Sequence, residues 1–312
     1  MTERNESDEI NLIPFLQGLY RRKFLIFSIT ILVTILSIVA SLFLTNKYTS
    51  TSTLVLSSQQ ESAASSIVAN VSGLAAIAGI DIGDSKKSED LGIEIIKSRS
   101  FFKHLTSFDG VLEEIMAAES YDFDNKQTIF NENKFIQEKD LWVRKPKAPY
   151  GVVPTYLEAY EEYINEILTI YHDKRSGIVQ ISITHISPKF AYSFLDLIIT
   201  EFNSLTRKKE IDRSNDALDY LFEESQNISS NEIREALFNI IEEQLKKKMI
   251  SNIAKEYYFE IVDVPFIPVK KSFPQRSLIV ILATFLGFIA SILIALVLKL
   301  LDKRKSETMP KY

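Results

Sequence analysis

The sequence predicts an α+β membrane protein in which two transmembrane helices flank an exported domain with a small mixed α/β base and a long protruding helical hairpin. Three observations predict it. Residues 24–45 and 278–298 contain no charged residue. Each run would give ~30 Å of helix at ~1.5 Å per residue, enough to cross a bilayer core. The segment between them is polar overall and long enough to bury its own core. Within it, apolar residues recur at period two in some stretches and at helical period in others.

The chain is thus expected to divide into a tail (1–23), a span (24–45), an exported domain (46–277), a second span (278–298) and a second tail (299–312). Orientation follows from the basic residues. Arg21, Arg22 and Lys23 abut the first span, whose far end carries only Lys47. Lys299, Lys303, Arg304 and Lys305 follow the second. Lys270, Lys271 and Arg276 belong to a long domain, which the positive-inside rule discounts. Both tails are therefore expected in the cytoplasm. The first run exceeds a signal-peptide core of ~7–15 residues and leads into Ser41-Leu42-Phe43-Leu44, so it reads as an uncleaved anchor. The second tail is expected to be too short for a folded output domain.

Of 36 basic and 41 acidic residues, the tails and spans hold nine and six, which leaves residues 46–277 with a net charge of −8. Such a surface offers no general attraction to nucleic acid. Cysteine is absent, which excludes disulfides and a thiol nucleophile.

Taken in order, Tyr48–Leu56 reads as a strand. Ser57–Ser88, with Gly73 and Gly79 at its centre, reads as a loop with a short close-packed helix and lacks a phosphate-cradling pattern. Ser88–Phe108 reads as one helix and Val111–Ala118 as a shorter one, with an edge strand at Leu141–Lys145. Pro154 is placed in the first turn of a helix whose apolar positions run from Leu157 to Tyr171, with Glu158, Glu161, Glu162 and Glu166 on the other face. Val179, Ile181 and Ile183 alternate with polar residues as a strand. Pro188 opens a helix whose stripe thins at Thr206–Ala217, and Ser229 with Glu232 fits a capping box for the next. Glu242–Lys246 and Glu243–Lys247 are i,i+4 pairs on that helix. The two helices, roughly 30 residues each over 188–257, are expected to rise from a small mixed sheet formed within 46–187 and 258–277. Their apolar stripe is too wide for one partner helix, so neighbouring protomers are expected to cover the rest. A last strand spans Tyr258–Val264.

Candidate chemistry is sparse. His104, His172 and His185 lie in separate elements, and His172 reads as a cation at a helix C-terminus. The acidic pairs, Glu113-Glu114 among them, diverge along helices and read as solvated, whereas acid–base catalysis needs convergent carboxylates. No catalytic, cofactor-binding or metal-ligating residue is assigned, and no cofactor is expected. In the second span Ala283, Gly287, Ser291 and Ala295 recur every four residues, a spacing that lets helices approach closely, with Ser37 and Ser41 as a matching pair in the first.

Three segments together resemble the polysaccharide co-polymerases, the Wzz/FepE/Etk chain-length determinant family. One is Asp8–Ile13 running into Leu19-Tyr20-Arg21-Arg22-Lys23 and the first span. Another is Gly177–Phe190, a strand followed by Ser187-Pro188-Lys189. The third is the family's proline-rich element, P-x2-P-x4-S-P-K with glycines beyond. Pro265, Pro268, Pro274 and Gly287 fall on its spacing, Phe273 and Gln275 replace its serine and lysine, Arg276 stands next, and Ser291 replaces the last glycine. Physically, the prolines would hold the chain before the second span extended.

The resemblance implies a non-enzymatic protein of the bacterial inner membrane with a periplasmic domain, assembled as a homo-oligomeric ring. It further implies a role in setting the chain length of a surface polysaccharide such as the O-antigen of lipopolysaccharide. The implied partners are the bilayer, a separate membrane polymerase and, if the glycan is held directly, a lipid-linked glycan. Tyr156, Tyr160 and Tyr163 have the faces to stack on sugars, but their helical spacing favours core packing. The alternative is an adaptor that activates a cytoplasmic tyrosine kinase in capsule or exopolysaccharide export.

Overall fold

A computed structural model of the chain describes residues 22–57, 86–227 and 230–308. In order, the elements are α1 (Lys23–Phe43), β1 (Tyr48–Leu56), α2 (Lys86–Ile96), α3 (Arg99–Leu105), α4 (Val111–Ala117), β2 (Ala118–Asp122), β3 (Gln127–Phe130), β4 (Phe135–Ile136), β5 (Leu141–Trp142), α5 (Tyr156–Glu162), β6 (Leu168–Asp173), β7 (Ile178–His185), α6 (Pro188–Asn227), α7 (Asn231–Ile253), β8 (Phe259–Asp263) and α8 (Arg276–Thr308). They form two compact units: α1 and α8 with adjoining residues through Asn46 and from Phe273, and the stretch Lys47–Ser272. Arg21, the Gly73–Gly79 loop, and Ser229 with the Glu232 side chain lie outside what is described, so the capping box goes with them.

In the first unit, α1 and α8 are each long and apolar enough to cross a membrane. Thr34 Oγ1 stands 3.0 Å from Thr284 Oγ1, and Thr30 Oγ1 stands 3.4 Å from Ser291 Oγ. Numbers rise along one helix as they fall along the other, so the two pack antiparallel.

The second unit is built on a four-stranded sheet of order β6-β7-β1-β8. Every pairing is antiparallel, where a mixed sheet was expected. The reason is connectivity: β6 and β7 form a hairpin, while β1 and β8 enter from opposite ends of the domain. One face of the sheet is buried, which is why Val179, Ile181 and Ile183 alternate so clearly and are fully buried. The other face pairs hydroxyls, Thr49 with Thr184 at 2.8 Å and Thr51 with Ser182 at 3.0 Å.

The core lies between that buried face and the helices. Phe190, Ala191, Phe194, Ile198 and Phe202 of α6 supply one wall, and Phe101, Phe102 and Leu105 of α3 another. Phe102 stacks on Tyr163 at 4.5 Å between centroids and Phe190 on Phe194 at 5.0 Å. α2 approaches closely at Gly92, where a Cβ would come within 2.7 Å of the Tyr258 ring.

Several expectations are corrected. The helix read over Ser88–Phe108 is two, because Ser98 is extended and its side chain accepts from Phe101 N–H as an N-cap. The hydroxyls of Tyr163 and Tyr160 donate to the carbonyls of Ile96 and Lys97 at 3.2 and 2.6 Å, which satisfies the end of the first. The apolar run from Leu157 to Tyr171 is not one helix. α5 ends at Glu162, a π turn covers Tyr163–Ile167, and Leu168–Asp173 is strand β6. Pro154 precedes the cap rather than occupying the first turn, since Thr155 is the N-cap. Glu158 is not on a solvated face: it closes a capping box with Thr155 and meets Arg144 at 2.7 Å. The edge strand expected at Leu141–Lys145 is shorter: Leu141 and Trp142 pair with Ile136 and Phe135, and Val143 N–H donates to Lys134 O at 2.9 Å.

The two helices of 188–257 are unequal. α6 has 40 residues and α7 has 23. The first turns of α6 are a core layer, and its remainder pairs with α7. Arg207 Nη1 reaches Ala254 O at 3.5 Å, and farther along Leu218 packs with Leu237 and Ile241, so this pair is also antiparallel. The Glu242–Lys246 and Glu243–Lys247 contacts measure 2.6 and 3.5 Å.

Candidate functional site

The small residues of α8 sit at the helix contact. Gly287, Ser291 and Ala295 are buried and Ala283 is half-buried. A Cβ at Gly287 would lie 2.8 Å from Val33 Cγ1, so this crossing depends on glycine. Ser37 and Ser41 of α1 have buried hydroxyls without a hydrogen-bond partner among the described residues. At the other end of α1, Lys23 lies 5.6 Å above the Phe24 ring. Arg276 opens α8 and donates to Asn46 Oδ1 at 3.3 Å.

In the proline-rich stretch after β8, Pro265, Pro268 and Pro274 are buried, the chain bends at Val269 and Lys270, and the Phe273–Pro274 peptide is cis. It is held beside β1 mostly by side-chain hydroxyls, with one backbone bond at its far end. Ser52 Oγ donates to Asp263 O at 2.6 Å and Ser50 Oγ to Phe266 O at 2.7 Å, both serines being fully buried. Ser272 N–H donates to Lys47 O at 2.9 Å, and Thr49 Oγ1 donates to Ser272 Oγ at 2.7 Å. Proline has no N–H to give a ladder, so hydroxyls of the partner strand take over. Sequence reading missed these serines; the signal was their two-residue spacing in a strand otherwise made mostly of Thr and Leu.

A second feature was missed outright. Glu114, read as solvated, is nearly buried, and burial raises its carboxyl to about 7. Like charge from Glu113 adds to this, while Thr128 and Lys189 oppose it. His185 beside it receives Ser187 N–H on Nδ1 at 3.1 Å and donates from Nε2 to Glu114 O at 3.0 Å. Both ring nitrogens are thereby assigned to the neutral form, and burial lowers the imidazole to about 4. Glu114 Oε2 lies 4.0 Å from His185 Nδ1. The carboxyl and the imidazole are therefore both neutral near pH 6, a structural pair packed beside the stacked Phe190 ring.

The other histidines are apart from it. His104 Nε2 meets Glu201 at 2.7 Å, and His172, in a strand rather than at a helix end, meets Asp90 at 3.1 Å. Tyr163 is fully buried in the core and Tyr160 packs against it, while Tyr156 lies beneath Lys103 at 5.4 Å.

On α6 and α7 large apolar residues remain uncovered, including Tyr220, Phe222, Phe238, Leu245, Met249 and Ile253. Phe238, Leu245 and Met249 share one face by helical spacing.

Comparison with known proteins recognises one family. Residues 8–107 match the chain length determinant protein family, Wzz, the family that the sequence resembles. No curated protein matches the chain. Among solved structures, a full-length bacterial polysaccharide co-polymerase is 16% identical, with 94% of this chain and 99% of that one covered and a TM-score of 0.37. A fragment of WzzB, a polysaccharide co-polymerase from Salmonella Typhimurium, is 14% identical, covering 73% of this chain and all of its own, with a TM-score of 0.28.

Proposed function

We propose, from the Wzz family match of residues 8–107, that this chain regulates the length of a surface polysaccharide without catalysing a reaction itself. In this reading α1 and α8 anchor it in the bacterial inner membrane with both termini cytoplasmic and residues 47–272 periplasmic. The basic residues beside the first span support that orientation. The uncovered apolar faces of α6 and α7 support lateral assembly of several copies, since exposed apolar patches of this kind mark association surfaces. An assembled ring would present its wall to a separate polymerase and to the growing lipid-linked glycan, of the O-antigen type.

A deletion strain tests the proposal. Polysaccharide separated on a gel should lose its clustered length distribution and become short and random, and the full chain supplied in trans should restore the clusters. An unchanged distribution would refute the reading. Removal of residues 301–312 should leave the clusters intact, whereas their loss would favour a kinase docked on that tail.

A further inference from the structure

The hairpin β2–β3 packs near the start of β1: the Phe123 ring meets Tyr48 edge-on at 5.7 Å and Tyr121 at 5.0 Å. Beside it runs the proline-rich stretch, and between them lies an apolar groove of about 470 Å³. Tyr121, Phe123, Ile267 and Val269 line it, with Lys126 and Lys189 at its rim. Val269 is 90% exposed, Phe123 55% and Ile267 54%, and Lys270 and Lys271 follow directly. Aromatic and aliphatic side chains fringed by lysine are what an interfacial lipid layer accepts, the rings among headgroup and upper acyl carbons and the ammonium groups on anionic headgroups. Chain continuity points to the same occupant. Tyr48 follows the end of α1 by five residues, and Val269 precedes α8 by seven.

We propose that this groove is a lipid-contact surface on which phospholipid headgroups of the adjoining leaflet sit, with Phe123, Ile267 and Val269 dipping into the layer and the lysines binding anionic lipid. The proposal rests on α1 and α8 being membrane spans. Phe123 is its decisive residue, because it lies far in sequence from both spans and no tether forces it against lipid.

The chain has no cysteine, so single-cysteine variants report cleanly. Full-length Phe123→Cys, Val269→Cys, Glu223→Cys and Leu36→Cys would carry an environment-sensitive fluorophore in nanodiscs of phosphatidylethanolamine and phosphatidylglycerol. A headgroup-region spin-labelled lipid serves as quencher. Glu223 lies 35 residues along α6 from Pro188, itself a groove residue, hence ~50 Å away. Leu36 is an exposed residue of α1 and tests the span separately. Lipid quenching at 123 and 269 should exceed that at 223 at least threefold, and that at 123 should halve when phosphatidylglycerol is replaced by phosphatidylcholine. Quenching at 123 and 269 no greater than at 223, with Leu36 strongly quenched, would overturn the groove while leaving the spans standing. This holds whether the groove proves open to aqueous quencher or covered by a second copy. Absence of quenching at Leu36 would overturn the spans themselves. Quenching indifferent to lipid charge would overturn the role of the lysines.

Discussion

Asn203 lies buried in α6 with its amide divided between three backbone groups. Its Oδ1 accepts from Tyr258 and Phe259 N–H at 2.8 and 3.0 Å, and its Nδ2 donates to Phe259 O at 2.9 Å. Replacing Asn203 with Ala would strand all three groups at the start of β8, at a cost of up to about 3 kcal/mol. A urea titration followed by Trp142 fluorescence should show the midpoint fall with the slope unchanged. Glu114 and His185 make a pH argument at the same scale. From pH 4.5 to 6.5 the unfolded chain carries one proton on His185 and none on Glu114, whereas the folded chain carries one on Glu114 and none on His185. The counts are equal, so this pair adds no pH slope in that window. Glu114 stabilisation is complete below its unfolded value and lost as pH rises towards 7; His185 stabilisation is lost as pH falls from 6.5 towards 4. Glu114→Gln removes the first and exposes the second. The difference in stability between variant and native chain should then move against the variant by about 3 kcal/mol as pH falls across the window, measured by urea unfolding at several pH values.

Helices and strands carry the second scale. Thr34 and Thr284 face each other across α1 and α8 at 3.0 Å, so the double variant Thr34→Cys, Thr284→Cys should oxidise to a crosslink within one chain. The measurement is a faster-migrating monomer band on a non-reducing gel, and adding Gly287→Leu should abolish it, because Val33 already occupies the space beside Gly287. What could be read ahead in the sequence follows one rule. Where a single face is buried, as in β7, period and burial coincide and the strand is legible. The stretch from Leu157 to Tyr171 kept a helical spacing of apolar residues through a π turn and into β6, so nothing local marked the change. There the sheet partner β7 decided. At Ser98 the cap signal was present, but Ile95 and Phe102 kept the helical phase across it. Glu114 was illegible for another reason: it is covered by the β3 strand folding back beside it and by the start of α6, which is distant in sequence.

For the whole molecule, assembly is the property most exposed to test. The shared face of Phe238, Leu245 and Met249 is exposed, without cover among the described residues. Changing all three to Ser should lower the mass of the purified full-length protein in light scattering towards that of the monomer. The fold itself should stay intact, as their side chains are largely exposed. Topology belongs to the same scale. A cysteine placed at Ser107, which is exposed, should react with a membrane-impermeant maleimide once the outer membrane is permeabilised, whereas cysteines added near either terminus should not. Labelling of a terminus would reverse the orientation.

α6 is an unbroken rod whose root is clamped by Phe190, Phe194 and Phe202 against the sheet. From Phe202 to its tip at Asn227 the helix runs ~38 Å without a break. Leverage follows: a load applied at the tip, by a neighbour or a passing chain, arrives at the root as torque on β1 and β7. Because β1 also grips the returning strap through Ser50 and Ser52, that torque would be felt by the carbonyls of Asp263 and Phe266.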